Sequence, residues 1–457
     1  MIREYLKLDK VEGPLIMVSD VDNVAYGEFV KITVDQQETR FGKVIKLEDN
    51  SVVIQVFEGT SGISTQNCAV QFMGKPLEIP LGLDILGRMF NGVGKPIDGG
   101  LNISSHNKQN INGRPINPVA RQYPKNFIQT GISAIDALMT LIRGQKLPIF
   151  SGNGMSHNEL AVQIVNQAKI EGDEDFAVVF GAMGVRHDDA DYFKKSFEAA
   201  GVLDHVAMYL NLADDPIVER ISTPRTALTA AEYLAFEKNM HVLVIITDMT
   251  SYAEALREIS SIRGEIPSRK GYPGYLYSDL STIYERAGIL KTCKGSITLI
   301  PILTMPNDDI THPIPDLTGF ITEGQIVLSR ELNQKQVYPP IAVLPSLSRL
   351  MKDGIGVGYT REDHVDLANQ LFSAYSHVQD IRSLAQIVGE DDLSDVDKKY
   401  LLFGKEFEQK FISQGTTENR TITETLDIGW QVLSVLPKTE LDRLPVELID
   451  QYYRKEV

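Results

Sequence analysis

Hydrophobic and polar positions change their period twice along this chain of 457 residues. Over residues 1–72 the apolar positions come in short runs, for example Val52, Ile54 and Val56, which are broken by turn formers at 48–50 and by Gly59. A period of two is typical of strands with one buried face. Several such strands at close spacing predict a small antiparallel β-barrel in this region.

Residues 73–355 alternate short apolar runs with helical patterns, which predicts a mostly parallel sheet covered by helices. Thr223, a capping residue, is followed by Pro224 and predicts a helix that starts there and runs to 237. A second helix is expected from near Ser251, where apolar residues recur at helical spacing. The strand candidates are residues 147–150, 177–180, 206–210, 242–247 and 297–303.

Residues 356–457 lose the strand signal. Stretches 362–375, 398–411 and 423–436 carry apolar residues at helical spacing and few strand formers. The sequence therefore predicts an α/β fold with an N-terminal β-barrel and a C-terminal helical bundle.

Charge and composition argue against several kinds of partner and site. The net charge of −16 argues against a nucleic-acid partner, because phosphate backbones are bound by basic surfaces. Cys68 and Cys293 form no CxxC motif and are read as reduced thiols, and no histidine pattern indicates a zinc site. The longest apolar stretch, near 242–246, is far too short to cross a membrane, so no direct membrane insertion is expected.

The loop after the strand at 147–150 resembles a phosphate loop that has lost its chemistry. A functional loop reads GxxxxGK[ST], with lysine on the phosphates and a hydroxyl on magnesium. Here residues 151–158 read SGNGMSHN, so Ser151 and Ser156 replace the glycines, His157 the lysine and Asn158 the hydroxyl. Taken alone, the pattern fits an ordinary strand–loop–helix turn better.

A buried strand at 242–247 ends in Asp248, the layout of a Walker B strand, although such strands are common in α/β proteins. Without the lysine and the hydroxyl, Asp248 has no complete magnesium site to serve. We therefore expect it to be a hydrogen-bonded structural residue, and His157 to be structural or solvent-facing.

Several long stretches together resemble the B subunit of archaeal and bacterial V-type ATPases over essentially the whole chain. The matching stretches are residues 86–98, 129–136, 240–257, 271–276, 321–326 and 344–350. The resemblance implies that the central region, 73–355, is a RecA-like domain with a degenerate phosphate loop.

It also implies an alternating hexamer of three such chains and three catalytic A subunits, with central and peripheral stalk subunits, on the cytoplasmic face of a membrane. The ion transported, a proton or sodium, is not readable from this chain. The chain would hold no cofactor of its own, and ATP or ADP with Mg²⁺ would be bound by the A subunit.

Site residues follow from the same resemblance. Catalytic subunits carry a glutamate that positions the attacking water, and Val185 stands at that position here. In the family, the arginine of the Ser348-Arg349 pair reaches across the interface to the nucleotide of the A subunit, and the resemblance implies that both Ser348 and Arg349 contact this nucleotide. Such an arginine supplied in trans neutralises the charge of phosphoryl transfer. Residues 266–274, rich in Gly and Pro, resemble the loop that faces the central stalk.

Two rival interpretations remain open. The chain could be an active nucleotide-hydrolysing motor of the same fold, which the SGNGMSHN loop argues against. It could also be a structural spacer without a part in the chemistry, in which case Arg349 would be dispensable.

Overall fold

The computed structural model describes residues 3–454 apart from 7, 36–37, 49 and 170–174. The chain forms two compact units. The first unit combines Met1–Pro115, Ala177–Lys238 and Ile246–Arg286, and the second combines Ile116–Phe176, Asn239–Ile245 and Ala287–Val457.

The secondary structure follows in chain order. The strands are β1 (Arg3–Tyr5), β2 (Lys10–Glu12), β3 (Leu15–Ser19), β4 (Phe29–Val34), β5 (Glu38–Glu48), β6 (Ser51–Val56), β7 (Cys68–Phe72), β8 (Glu78–Pro80), β9 (Met89–Asn91), β10 (Lys108–Asn110), β11 (Arg121–Gln122), β12 (Ile149–Gly152), β13 (Phe176–Val185), β14 (Val206–Leu212), β15 (His241–Thr247), β16 (Gly288–Leu290), β17 (Ser296–Met305), β18 (Gly324–Leu328) and β19 (Ile341–Ser348). The α-helices are α1 (Ser133–Leu138), α2 (His157–Gln167), α3 (His187–Ala200), α4 (Ile217–Glu232), α5 (Met249–Ile262), α6 (Leu276–Tyr284), α7 (Pro313–Ile321), α8 (Arg330–Gln334), α9 (His364–Val388), α10 (Asp395–Glu406), α11 (Ile422–Leu433) and α12 (Val446–Tyr452).

The N-terminal strands of the first unit form an antiparallel sheet in the order β1-β7-β4-β5-β6-β3-β2. Along β4 the residues Val30, Ile32 and Val34 are buried and their neighbours are half-buried, the alternation expected of a strand with one face in a core. The predicted turn at 48–50 includes Asp49, which lies outside the described residues. The strands β5 and β6 end and begin on either side of it.

The five predicted strands of the central region are confirmed as β12, β13, β14, β15 and β17. In the first unit β14 pairs in parallel with both β13 and β9. In the second unit β12 lies between β17 and β18, parallel to both, and β19 is antiparallel to β18. All ten residues of β17 are buried, as expected of a parallel strand that is covered on both faces.

One of the two helices predicted in the central region starts at a different residue than expected. The helix expected from Thr223 begins at Ile217, directly after Pro216, and Pro224 lies inside it. The Thr223 hydroxyl donates to the Glu219 carbonyl at 3.0 Å and does not cap the helix. Pro224 removes one backbone hydrogen bond but is buried, so the helix continues through it. The helix expected near Ser251 is confirmed as α5.

The helices α9–α12 of the second unit share one apolar core, which confirms the all-α C-terminal region. Leu371, Phe403, Phe407 and Trp430 are buried in it, together with Val343 of β19. The strand β19 is therefore packed directly against the helical bundle. Among the described residues, every helix is too short or too polar to cross a membrane.

Candidate functional site

The loop between β12 and α2 has the predicted strand–loop–helix form, and two of its predicted phosphate-loop positions, Ser151 and His157, contact each other. The Met155 amide donates to the Gly152 carbonyl at 3.2 Å. The His157 ring lies with Nδ1 3.0 Å from the Ser151 hydroxyl, so the residue at the lysine position folds back onto β12. This contact agrees with the expectation that His157 is structural or solvent-facing.

An ion pair that the sequence did not reveal lies against this loop. Arg330, the first residue of α8, donates from Nε and Nη2 to the two carboxylate oxygens of Asp308 at 2.5 and 2.8 Å. Nη2 also donates to the Asn153 carbonyl at 3.2 Å. A Cβ at position 152 would lie 2.1 Å from Asp308 Oδ1, so only glycine fits beneath the carboxylate.

The Asp308–Arg330 ion pair affects what the loop can hold. The guanidinium of Arg330 holds the pKa of Asp308 below its usual value, so the carboxylate is ionised at neutral pH. Because Arg330 carries the opposite charge, the pair adds no net charge at the loop, and it limits the loop by occupying the space beside Gly152. The pair was invisible in the sequence because its members lie more than 150 residues from Gly152 and in no motif.

Val185 and Asp248, both in the first unit, are the other two positions at which a hydrolytic subunit would carry functional residues. Val185 ends β13, and its carbonyl accepts from the Ala213 amide at 2.8 Å. Asp248 caps α5, and its Oδ1 accepts from the Thr250 amide at 2.7 Å. The expectation that Asp248 is a hydrogen-bonded structural residue is confirmed.

Arg349 directly follows β19, which ends at Ser348, and its side chain is exposed. Its backbone amide donates to the Glu323 carbonyl at 2.9 Å. Its Nη1 donates to the Thr322 carbonyl at 2.8 Å, and within the described part of the chain this is the side chain's one hydrogen bond. A guanidinium has five N–H donors, so most of its hydrogen-bonding capacity faces outward.

Ser348 is engaged inside the chain. Its hydroxyl accepts from Gln145 Nε2 at 2.8 Å and donates to the Thr140 carbonyl at 3.1 Å. These contacts hold the end of β19 against the segment that precedes β12. A direct contact of Ser348 with a nucleotide stays a prediction.

Comparisons with known proteins decide the family. The ATP synthase alpha/beta family matches with its beta-barrel domain over residues 10–74 and its nucleotide-binding domain over 131–348. The C-terminal domain of V and A type ATP synthase matches over 353–453. The V-type ATP synthase beta chain 2 of Clostridium tetani is 65% identical over 99% of both chains.

The chain belongs to the family of V-type ATP synthase beta chains.

Other members agree with this assignment. The B subunit of the A-type ATP synthase of Aeropyrum pernix is 59% identical over 99% of this chain and 98% of its own. A solved ATP synthase subunit from Nanoarcheaum equitans has a TM-score of 0.74 and 42% identity, and the match covers 92% of this chain and 98% of that one. This beta chain is thus a subunit of a V/A-type ATP synthase with barrel, nucleotide-binding-type and C-terminal helical domains.

The loop at 266–274 of this beta chain is an ordered turn in the first unit. Pro267 and Pro273 form an antiparallel bridge, and the Ser268 amide donates to the Tyr272 carbonyl at 2.8 Å. The Tyr272 hydroxyl donates to Glu254, and the Arg257 guanidinium lies 5.4 Å from the Tyr272 ring centre. Ile266 is 90% exposed beside this turn. Its orientation toward a stalk stays a prediction.

Proposed function

We propose that this chain is the non-catalytic subunit of its ATP synthase and that it lends Arg349 to the nucleotide bound by a neighbouring catalytic A subunit. The observation that supports the proposal is an exposed guanidinium just after strand β19. Among the described residues it donates one side-chain hydrogen bond, so its other N–H groups are available to a ligand. A planar guanidinium supplied in trans can donate two aligned hydrogen bonds to the oxygens of the transferred phosphoryl group.

The residues at its own loop support the non-catalytic part of the proposal. Catalysis needs a lysine on the phosphates, a hydroxyl on magnesium and a carboxylate that orients water. His157, Asn158 and Val185 occupy these positions, and none of them supplies the required chemistry. The Asp308–Arg330 ion pair occupies the space beside Gly152. ATP or ADP with Mg²⁺ is accordingly assigned to the A subunit.

The proposed assembly is the alternating hexamer of three catalytic A subunits and three copies of this chain around a central stalk, held by peripheral stalks at the cytoplasmic face of a membrane. In this arrangement hydrolysis or synthesis of ATP is coupled to transport of a proton or a sodium ion by other subunits. Arg269 and Lys270 in the ordered turn would then meet the rotating shaft.

The test is Arg349→Ala in a complex reconstituted with wild-type A subunits. Because an arginine finger stabilises the transition state, kcat should fall by about three orders of magnitude or more, while KM changes less. Size measurement of the hexamer establishes assembly. Lys352→Ala is the matched control, since it removes an exposed cation three residues away and should leave kcat near that of wild type.

The outcomes separate the rival interpretations. If assembled Arg349→Ala keeps more than about a tenth of the wild-type rate, the chain is a spacer, because a finger contributes far more. If the isolated wild-type chain binds MgATP at micromolar concentration and turns it over, it is an active motor, and the proposal fails.

A further inference from the structure

The segment Thr322-Glu323-Gly324, which we call the arginine support, carries both hydrogen bonds of Arg349. The Thr322 carbonyl accepts from Nη1 of the guanidinium, and the Glu323 carbonyl accepts from the Arg349 backbone amide. The direction of the guanidinium therefore depends on where two adjacent carbonyl groups of this segment point. The proposed function does not account for the Glu323 side chain.

An ion pair holds the arginine support in place. Glu323 Oε1 lies 2.7 Å from Lys146 Nζ, and Oε2 accepts from the Lys146 backbone amide at 2.8 Å. The Glu323 amide donates back to the Lys146 carbonyl at 3.1 Å. The Lys146 side chain is only 4% exposed, and its backbone is bridged to Leu299 of the buried strand β17. Three contacts thus fix Glu323 to a rigid part of the sheet.

Close packing leaves the support little freedom. Gly324 pairs with Ser348 and has φ of +151°, and a Cβ there would lie 2.3 Å from the Leu347 carbonyl oxygen. Gln145 Nε2 bridges the Glu323 carbonyl, at 3.2 Å, to the Ser348 hydroxyl. The support and the end of β19 therefore form one hydrogen-bonded frame, and a shift of Glu323 must be transmitted to Arg349.

We infer that Glu323 is a positioning residue for Arg349: its ion pair with Lys146 fixes the two carbonyl groups that aim the guanidinium at the nucleotide of the neighbouring subunit. The inference rests on the proposed function of Arg349. A displacement of about 1 Å in a catalytic group can lower a rate by up to about 100-fold, so an anchor at this point has a kinetic effect.

Two substitutions disturb the anchor in different ways. Glu323→Gln replaces one of the two carboxylate oxygens by an NH2 group, which cannot accept, so one of the two contacts with Lys146 is lost. Glu323→Asp keeps the charge but is one methylene shorter, so the carboxylate reaches Lys146 only if the backbone moves. Because Asp keeps a negative charge beside the buried lysine, it provides the test if Gln destabilises the chain.

Each variant is reconstituted with wild-type A subunits, alone and combined with Arg349→Ala. We expect kcat to fall roughly 10–100-fold with little change in KM. In the Arg349→Ala background the Glu323 substitutions should cause no further loss, because their effect passes through the guanidinium. The matched control is Glu408→Gln, which breaks a buried ion pair with Arg382 in the helical bundle. It should lower thermal stability and leave kcat unchanged.

Three results overturn the inference. Assembled Glu323 variants with at least half of the wild-type kcat would show that the anchor does not position the finger. An equal fold-loss in the presence and absence of Arg349 would show that Glu323 acts independently of it. If Arg349→Ala is itself active, the proposed function fails together with this inference, whereas the first two results leave the proposed function intact.

Discussion

The second unit contains two strand ends with opposite fates, the loop after β12 and the turn after β19. At the loop, side chains of the same chain lie where a nucleotide would need access: His157 contacts Ser151, and the Asp308–Arg330 pair covers Gly152. At the turn, internal contacts hold the backbone of Arg349 and one N–H of its side chain, and the rest of the guanidinium faces outward. The same fold can thus have one strand end without the residues that bind phosphate and another strand end with an exposed cation.

The largest expected effect tests whether the turn after β19 needs the planar geometry of arginine or only a positive charge. Arg349→Lys keeps the positive charge, but an ammonium cannot form two aligned donors in one plane. We expect steady-state hydrolysis by the reconstituted hexamer to stay below about a tenth of the wild-type rate. A lysine variant with half of the wild-type rate would mean that a point charge is sufficient.

The next effect concerns the frame beneath Arg349. Gly324→Ala places a Cβ 2.3 Å from the Leu347 carbonyl oxygen at a φ that disfavours side chains. We expect a loss of about 2–4 kcal/mol in the free energy of unfolding of the isolated chain, measured in denaturant. Gly319→Ala in α7 is the control, since nothing lies closer than 3.6 Å to its added Cβ, and it should be neutral or slightly stabilising. Equal losses from both variants would contradict the close approach.

A buried histidine anchors the segment that follows Arg349. His364 Nε2 is 3.0 Å from the Ala137 carbonyl oxygen, Nδ1 is 3.0 Å from the Thr360 hydroxyl, and burial lowers the pKa of His364 to about 4. Because the folded pKa lies below the unfolded value of about 6.5, the neutral ring stabilises the fold above that pH, and this stability is lost as the pH falls toward 4.

The slope should be up to about 1.4 kcal/mol per pH unit in this window, measured by denaturant unfolding between pH 7 and 4. His364→Gln should flatten this slope. His377→Gln, on the exposed side of the same helix, is the control and should leave it in place. If His364→Gln leaves the pH dependence unchanged, other groups cause it.

The smallest effect tests whether the loop after β12 can be reopened. Restoring the motif with Ser151→Gly, Ser156→Gly, His157→Lys and Asn158→Thr should not yield micromolar MgATP binding by calorimetry while the Asp308–Arg330 pair covers Gly152. Adding Asp308→Asn removes the negative charge and leaves Arg330 to attract the phosphates, so it should improve affinity by about 1 kcal/mol, the size of a charge interaction through water. Hydrolysis should stay absent because Val185 cannot orient water. Micromolar binding by the fourfold variant alone would show that Asp308 does not obstruct phosphate.

The pattern of apolar and polar residues was enough to predict the three-part organisation and most of the elements. Alternating and helical periods identified the barrel, the central strands and the helical bundle, because burial of one face imposes those periods directly. Loss of the lysine and hydroxyl at 157 and 158 was equally visible, since a phosphate loop is a contiguous motif. Local rules misplaced the start of α4, because tertiary burial let the helix continue through Pro224.

The arrangement of the two strand ends follows from contacts that exist only in the folded chain. Two ion pairs determine it: Asp308–Arg330 lies against Gly152, and Lys146–Glu323 anchors the segment that bonds Arg349. The paired residues are 22 and 177 positions apart, and neither spacing follows from a helical or strand period. The exposure of Arg349 likewise depends on which of its N–H groups find carbonyl partners after β18 and β19 have paired. Periodicity reports which face of an element is buried, whereas the aim of a side chain is set by contacts between segments that folding brings together.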